Sequence, residues 1–112
     1  MSDAALTEQA YEVEADRTLR ALERALDALD GNLEVDLESG ILTIELEGGL
    51  KYVINSHRAA RQIWMAADRS AWHFDYRPAD GRWISTRSGE ELLATLEGIL
   101  SRKLGRPVTL PR

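Results

Sequence analysis

The spacing of apolar residues changes twice along the chain. Apolar side chains recur every three or four positions in the first quarter, every second position through the middle, and every three or four positions again near the end. The first spacing places side chains on one face of a helix, whereas alternation places them on one face of a strand. The sequence therefore predicts a helix, a run of strands and a second helix.

The first helix is predicted to span about Ala4 to Asp30, with Gly31 as its C-terminal cap. Its repeat of apolar residues forms one face, which should pack on the core. The residues predicted on that face are Tyr11, Ala15, Leu19, Leu22, Leu26 and Leu29.

The second helix is predicted to start at a capping box, in which Ser88 is the N-cap and Glu91 reaches back to it. An apolar repeat continues from there to about Leu104. Gly105 and Pro107 follow, and these residue types end helices.

Between the helices the alternation predicts an antiparallel meander of about six short strands. The predicted strands are Leu33–Glu38, Leu42–Glu47, Leu50–Asn55, Gln62–Ala67, Ala71–Arg77 and Arg82–Ser85, with a polar loop at Ser56–Arg61. Two helices with apolar faces can cover one side of such a sheet and leave the other side wet. The predicted fold is therefore an α+β two-layer sandwich that forms a single domain over residues 1–112.

Cysteine usage and charge narrow the possible functions. Without cysteine the chain forms no disulfide, thiolate metal site or cysteine nucleophile, and it suits a reducing cytoplasm. Its net charge of −5 argues against nucleic-acid binding, because phosphate contacts need a basic surface. No apolar run approaches the roughly 20 residues of a membrane span, and the N-terminus lacks the features of a signal peptide. We expect a cytoplasmic protein with no nucleic-acid or membrane partner.

Acidic residues of the first helix are predicted to share one sector of its surface, apart from the sector of its arginines. That sector and the following strand form what we call the acidic surface: Glu8, Glu12, Asp16, Glu23, Asp27, Asp30, Glu34, Asp36 and Glu38. It is either a solvated face that keeps the protein soluble, or a surface that attracts hard cations and a basic partner. Because histidine and cysteine are absent from it, any metal should bind weakly, with water completing the coordination shell.

Alternation in the fourth predicted strand directs Ile63 and Met65 into the core and Trp64 away from it. An outward indole beside the polar Asn55 and Gln62 has two interpretations. It either covers neighbouring aliphatic atoms, as single exposed apolar residues often do, or anchors a binding partner.

Other aromatic side chains are placed by the same alternation. Trp72, Phe74 and Trp83 are predicted in the core. His73 is predicted on the outer sheet face near Trp64, and His57 is predicted as a solvated loop residue. Their sequence spacing does not indicate a metal-binding histidine pair.

Three segments resemble the frataxin family, in its bacterial CyaY-type branch. Residues 55–66 read NSHRAARQIWMA, residues 72–75 read WHFD, and residues 83–90 read WISTRSGE. The family has an acidic first helix, a strand that opens with Gln-Ile-Trp, a His-Phe-Asp strand and a Trp-Ile strand before the last helix. The resemblance covers nearly the whole chain in the same order.

The resemblance implies that Fe²⁺ and Fe³⁺ bind weakly at the acidic surface. We expect the metal at Asp16, Glu23, Asp27, Asp30, Glu34 and Asp36. It also implies docking onto the cysteine desulfurase and scaffold protein of iron–sulfur cluster assembly, with the chain regulating the rate. The residues expected to bind the partner are Glu12, Asn55, Gln62, Trp64 and His73.

Departures from the family pattern affect the acidic surface and the central loop. Ala59 stands where relatives usually have proline, and His57 stands where they often have glutamine. Ala28 and Asn32 stand where relatives often carry acids. These changes leave the predicted fold intact and concern the strength of metal binding and the contacts of the loop.

The inventory of residues argues for a binding protein and against an enzyme. There is no glycine-rich phosphate loop and no Gly-x-Ser-x-Gly segment around Ser88. The main hypothesis is a weakly iron-binding regulator that is a monomer without metal. The alternatives are an iron chaperone or storage protein that delivers Fe²⁺ to the scaffold, and an acidic adaptor with no metal role.

Overall fold

The computed structural model describes residues 7–29 and 33–111. In chain order it contains α1 (Glu8–Asp27), β1 (Glu34–Glu38), β2 (Ile41–Glu45), β3 (Lys51–His57), a short 3₁₀ helix (Arg58–Ala60), β4 (Gln62–Ala67), β5 (Ser70–Arg77), β6 (Arg82–Ser85) and α2 (Leu92–Leu104). The strands form one six-stranded sheet in the order β1-β2-β3-β4-β5-β6, and every neighbouring pair is antiparallel. Both helices pack on the sheet, which confirms the predicted two-layer sandwich.

Helix α1 is shorter than the sequence predicted. Thr7 has an extended backbone, and its hydroxyl accepts a hydrogen bond from the Ala10 amide, so the helix begins at Glu8. It ends at Asp27 with Ala28 as the C-cap. Asp30 and the predicted cap Gly31 lie outside the described residues.

The core lies between the helices and the sheet, and its members follow the predicted periods. The α1 face is buried as predicted, except that Leu29 is only partly buried. Side chains at alternate strand positions are fully enclosed, including Leu42, Ile44, Ile54, Ile63 and Phe74, each at 0% exposure. Trp83 is also buried, whereas Trp72 is partly buried and donates its indole N–H to Glu90.

The segment predicted as a loop after β3 is more ordered than expected. Strand β3 continues through Ser56 to His57, and Ser56 pairs with Ile63 in β4. The chain then forms the 3₁₀ helix and reverses at Arg61, whose φ of 55° is left-handed. The predicted loop is therefore a strand end followed by one helical turn.

Helix α2 starts later than predicted, and Ser88 is not its N-cap. Glu91 is the N-cap, and its carboxylate accepts hydrogen bonds from the Leu93 and Ala94 amides. An antiparallel bridge between Ile84 and Glu91 keeps the chain extended up to that point. The Ser88 hydroxyl bonds Glu90 instead, within a turn. Gly105 ends the helix in the left-handed conformation, as predicted.

Neither of the helices within residues 7–29 and 33–111 has both the length and the apolar character needed to cross a bilayer.

Candidate functional site

The acidic residues of α1 and β1 lie along one edge of the molecule. Strand β1 is the edge strand of the sheet, and α1 packs beside it. Val35 and Leu37 turn towards the core, so the alternate positions Glu34, Asp36 and Glu38 are exposed. The structure therefore places the helical and strand parts of the acidic surface on neighbouring elements.

Ion pairs neutralise the N-terminal part of this surface. Arg58 of the 3₁₀ helix lies 2.8 Å from Glu12 and 3.9 Å from Glu8. Arg20 donates to Asp16 across one helical turn at 2.9 Å. We call Glu8, Glu12 and Asp16 the paired part, and the predicted metal residue Asp16 belongs to it.

The remainder of the surface has no cationic partner among the residues that the structure describes. We call Glu23, Asp27, Glu34, Asp36 and Glu38 the unpaired part. All are exposed except Glu23, which is half-buried. Four of the six predicted metal residues belong to this part, and the sixth, Asp30, falls in the undescribed gap between its helix and strand members.

The unpaired part does not form a pre-assembled metal cage. Within the described ranges, no group of three or more histidine or acidic side chains is close enough to hold a metal ion. Oxygen ligands spread over a solvated surface hold a hard cation through one or two carboxylates, with water filling the other positions. This arrangement suits weak binding at more than one place.

On the open face of the sheet, Trp64 stands between two imidazole rings. The His57 ring lies 3.7 Å from the indole between centroids, with a 15° angle between planes. The His73 ring lies on the other side at 4.1 Å and 11°. His73 is directly opposite Trp64 in β5, whereas His57 is its diagonal neighbour in β3. We call these three residues the aromatic stack.

A chain of hydrogen bonds fixes the edge of the aromatic stack. The Trp64 indole N–H donates to the Gln62 side-chain oxygen at 2.8 Å, and the Gln62 amide donates to Asp75 at 3.0 Å. The Gln62 backbone oxygen accepts from the Tyr11 hydroxyl at 2.8 Å, which ties β4 to α1. Burial raises the pKa of Tyr11 above its ordinary value, because the phenolate is disfavoured away from water.

His57 has a structural role that the sequence did not reveal. Its Nδ1 accepts a hydrogen bond from the Ala60 amide at 3.3 Å and so caps the 3₁₀ helix. The prediction of a solvated loop residue is wrong, because His57 ends a strand and stacks on Trp64. The next residue, Arg58, carries the ion pairs to α1, so this corner connects the aromatic stack to the paired part of the acidic surface.

Four of the five predicted partner-binding residues, Asn55, Gln62, Trp64 and His73, meet on the open sheet face. Glu12 lies apart from them on α1. Asp75 is not among the predicted site residues, although alternation with His73 places it on this face. Arg58 is not among them either, because nothing in the sequence indicates its ion pairs with α1.

Three features together define the class of small frataxin-fold proteins. They are the two-layer fold, the acidic helix at the sheet edge and the outward-facing Trp64 on the open face of the sheet. Residues 4–106 match the sequence profile of the Frataxin-like domain, and the chain belongs to that family.

Relatives and solved structures agree with this assignment. The chain is 39% identical to the iron-sulfur cluster assembly protein CyaY of Ralstonia nicotianae, over 94% of this chain and 95% of that one. It is 37% identical to the protein of the same name from Tolumonas auensis, over 80% and 84% of the two chains. The frataxin of Psychromonas ingrahamii has a TM-score of 0.86 at 25% identity, covering 96% of this chain and 100% of that chain.

A more distant solved structure is trimeric frataxin from the yeast Saccharomyces cerevisiae, complexed with ferrous iron. It has a TM-score of 0.66 and 27% identity, and the match covers 94% of this chain and 92% of that chain.

Proposed function

We propose that this chain is a regulatory protein of iron–sulfur cluster assembly that binds iron weakly and docks on the cysteine desulfurase and its scaffold. The observation that carries the proposal is the unpaired part of the acidic surface: five carboxylates on two neighbouring elements with no cationic partner in the described chain. The names of the CyaY relatives support the pathway.

Iron binding follows from the chemistry of these side chains. Clustered carboxylates repel one another, and a cation among them relieves that repulsion. Fe²⁺ and Fe³⁺ accept oxygen ligands, and the yeast frataxin complexed with ferrous iron supports the choice of metal. Because no three ligands converge in the described residues, we expect the affinity for iron to be micromolar or weaker. This corresponds to a binding free energy on the order of 8 kcal/mol or less.

Docking follows from charge and from the aromatic stack. A negative surface selects a basic partner, and charge complementarity sets mainly the encounter rate and salt sensitivity. Exposed pairs contribute only about 0.2–1 kcal/mol each. An apolar anchor should add binding energy, and the rigidly held Trp64 is the best candidate.

The proposal is tested by the rate of cluster formation on the scaffold, with desulfurase, cysteine and Fe²⁺ supplied. We expect the wild-type chain to change that rate in a saturable way, and the Glu23→Lys/Asp27→Lys variant to need a higher concentration for the same effect. A matched Arg17→Glu/Arg24→Glu variant alters charges on the other side of α1 and should retain the wild-type effect. If the wild-type chain leaves the rate unchanged, the regulatory role is wrong.

An iron carrier is the second candidate, because two of the matching yeast frataxin structures are trimeric and one of those two is complexed with ferrous iron. A carrier would change the rate only when Fe²⁺ is limiting, whereas a regulator acts on the desulfurase at saturating Fe²⁺. We propose the regulator, a cytoplasmic protein that is a monomer when no metal is bound. Light scattering with and without Fe²⁺ tests the oligomeric state.

A further inference from the structure

A cleft opens between α1 and the start of α2, on the side of α1 away from the acidic surface. Its volume is about 670 Å³, within the roughly 300–1,000 Å³ of small-molecule sites. It is lined by residues of both helices, the β5–β6 turn and β6, and Pro111 lies at its margin. None of the described residues of the acidic surface lines it.

The floor of the cleft is apolar. Leu22, Trp83 and Leu92 are buried at its base, and the small side chains Ala21 and Ala25 leave space along α1. The Trp83 indole N–H already donates to the Thr18 hydroxyl at 2.9 Å, and the residue is only 3% exposed. The apolar surface that a ligand could still cover therefore comes mainly from Ala21, Ala25 and Leu93. A ligand bound here would gain from burying hydrocarbon or an aryl group.

The rim of the cleft is positive, in contrast to the net negative charge of the chain. Three arginines, Arg17, Arg24 and Arg82, line it. Arg24 forms no ion pair with any residue in the described ranges, Arg82 is 4.0 Å from Asp80, and Arg17 is 3.6 Å from Glu14.

The two acids that line the cleft are already occupied. Asp80 accepts two hydrogen bonds from Arg77, at 2.6 and 3.0 Å. Glu91 caps α2 through the Leu93 and Ala94 amides. The available charge at the rim is therefore cationic, and it complements an anion.

We propose that this cleft binds a small amphipathic anion, a medium-chain carboxylate whose hydrocarbon lies against the alanines and Leu93 while its carboxylate meets Arg24 and Arg82. Guanidinium groups bind carboxylates through paired, charge-assisted hydrogen bonds. The apolar floor and cationic rim together select this class over neutral lipids and over compact anions such as phosphate.

The test is an NMR titration of the full ¹⁵N-labelled chain with octanoate, following the Trp83 indole N–H and the amides of Ala21 and Ala25. We expect saturable shifts confined to the cleft, and roughly tenfold weaker binding of 1-octanol, which lacks the charge. Inorganic phosphate should leave these signals unmoved.

Variants separate the parts of the site. Arg24→Gln/Arg82→Gln should weaken octanoate binding roughly tenfold. Arg69→Gln/Arg102→Gln removes equal charge elsewhere, and its dissociation constant for octanoate should stay within about twofold of the wild-type value. Ala21→Leu fills the cleft from an exposed position and should abolish the shifts without lowering the melting temperature.

Four results would contradict the proposed site. Octanoate and octanol could bind equally, the Arg24/Arg82 variant could bind like the wild type, or the shifts could fall outside the cleft. If the Trp83 signal moves with protein concentration alone, a second copy fills the cleft, and the proposal is again wrong.

Discussion

Trp64 is held on both faces and at one edge, although it stands on the open face of the sheet. Imidazole rings cover both of its faces, and Gln62 binds its N–H. Each aromatic contact stabilises by about 0.5–1.5 kcal/mol beyond area burial. The indole is therefore presented in one orientation, and its binding costs little side-chain entropy.

Trp64→Ala should leave the fold intact, because the core beneath is formed by Ile63 and Met65. We expect the free energy of unfolding to fall by about 1–3 kcal/mol, because two stacking contacts are lost. This is less than the fall of about 3–5 kcal/mol expected for Phe74→Ala in the core. Association with the desulfurase should weaken without a change in its salt dependence, as measured by calorimetry at several salt concentrations.

Trp64→Phe is the comparison variant, since it keeps a smaller aromatic ring between the histidines and removes the N–H donor together with part of the stacking area. The Trp64→Phe variant should bind the desulfurase more tightly than the Trp64→Ala variant does. If Trp64→Ala unfolds the protein in denaturant-free buffer, the docking face assigned here is wrong.

Tyr52 gives a pH-dependent prediction. Burial, with the nearby Asp68 carboxylate, raises the pKa of Tyr52 to about 12, and its hydroxyl donates to Asp68 at 2.9 Å. A raised pKa favours the protonated folded state, so this stabilisation is complete below about pH 10 and is lost towards pH 12. Tyr52→Phe should cost about 1 kcal/mol at neutral pH. It should also make stability fall less steeply above about pH 10, measured by urea unfolding. An equally steep fall in the variant would contradict this assignment.

At the residue scale, the sequence predicted which face each side chain occupies but not which neighbours it meets. Alternation correctly placed Trp64 and His73 outside and Ile63 inside. The stacking of His57 depends on the register between β3 and β4, which sets diagonal contacts. Sequence alternation alone does not contain that register.

Among the elements, the short 3₁₀ helix determines how charge is distributed along the acidic surface. It carries Arg58, which neutralises Glu12 and Glu8 on α1 and leaves the other end of the acidic surface negative. The sequence wheel had placed the arginines of α1 apart from its acids, yet Arg20 reaches Asp16 across one turn. Long side chains extend beyond their own sector of a helix.

Arg58→Ala should extend the proposed metal-binding surface towards the start of α1. With the guanidinium removed, Glu8 and Glu12 lose their cationic partner, and we expect Mn²⁺ to broaden the NMR signals of Glu12 at lower concentrations than in the wild type. Arg69 is an exposed arginine in the β4–β5 turn, so Arg69→Ala is the control. It should leave the Mn²⁺ broadening of the Glu12 signals as in the wild type. Unchanged Glu12 signals in Arg58→Ala would show that this ion pair does not limit metal access.

Charge reversal in α1 should separate the two parts of the acidic surface. Glu23→Lys/Asp27→Lys should weaken desulfurase association and flatten its salt dependence, because these carboxylates carry uncompensated charge. Glu8→Lys/Asp16→Lys makes the same change in net charge on the same helix and should have a smaller effect. Equal effects, measured by salt-dependent binding, would mean that only net charge matters.

The bounds of an element were predicted correctly where local sequence patterns alone determine them. The bounds of β4 and β6 agree with those predicted from alternation and turn residues. The start of α2 was missed because a tertiary interaction, the Ile84–Glu91 bridge, overrode the local capping box at Ser88.

At the scale of the whole molecule, charge is distributed unevenly. The net charge is −5, but one edge of the sandwich carries unpaired acids while the helix cleft carries arginines. This polarity permits a basic partner at one surface and an anion at another, because potentials are local within a Debye length of about 8 Å at physiological salt.

Divalent cations should stabilise the folded chain specifically. A ligand that binds only the folded state raises stability by mass action. Millimolar MnCl₂ should therefore raise the melting temperature more than NaCl of equal ionic strength, and the Glu23→Lys/Asp27→Lys variant should lose most of that difference. Equal shifts from the two salts would indicate screening alone.

We expect the unpaired part of the acidic surface to bind both iron and the desulfurase. An anaerobic two-dimensional NMR titration with Fe²⁺ and then with the desulfurase would show both footprints on the same sample. Fe²⁺ should broaden Glu23, Asp27, Glu34 and Asp36 first, with micromolar or weaker affinity, and the desulfurase should then perturb the same residues together with the Trp64 indole. A single tight iron site at His57 or His73, or a desulfurase footprint confined to the helix cleft, would mean that the acidic surface does not bind both.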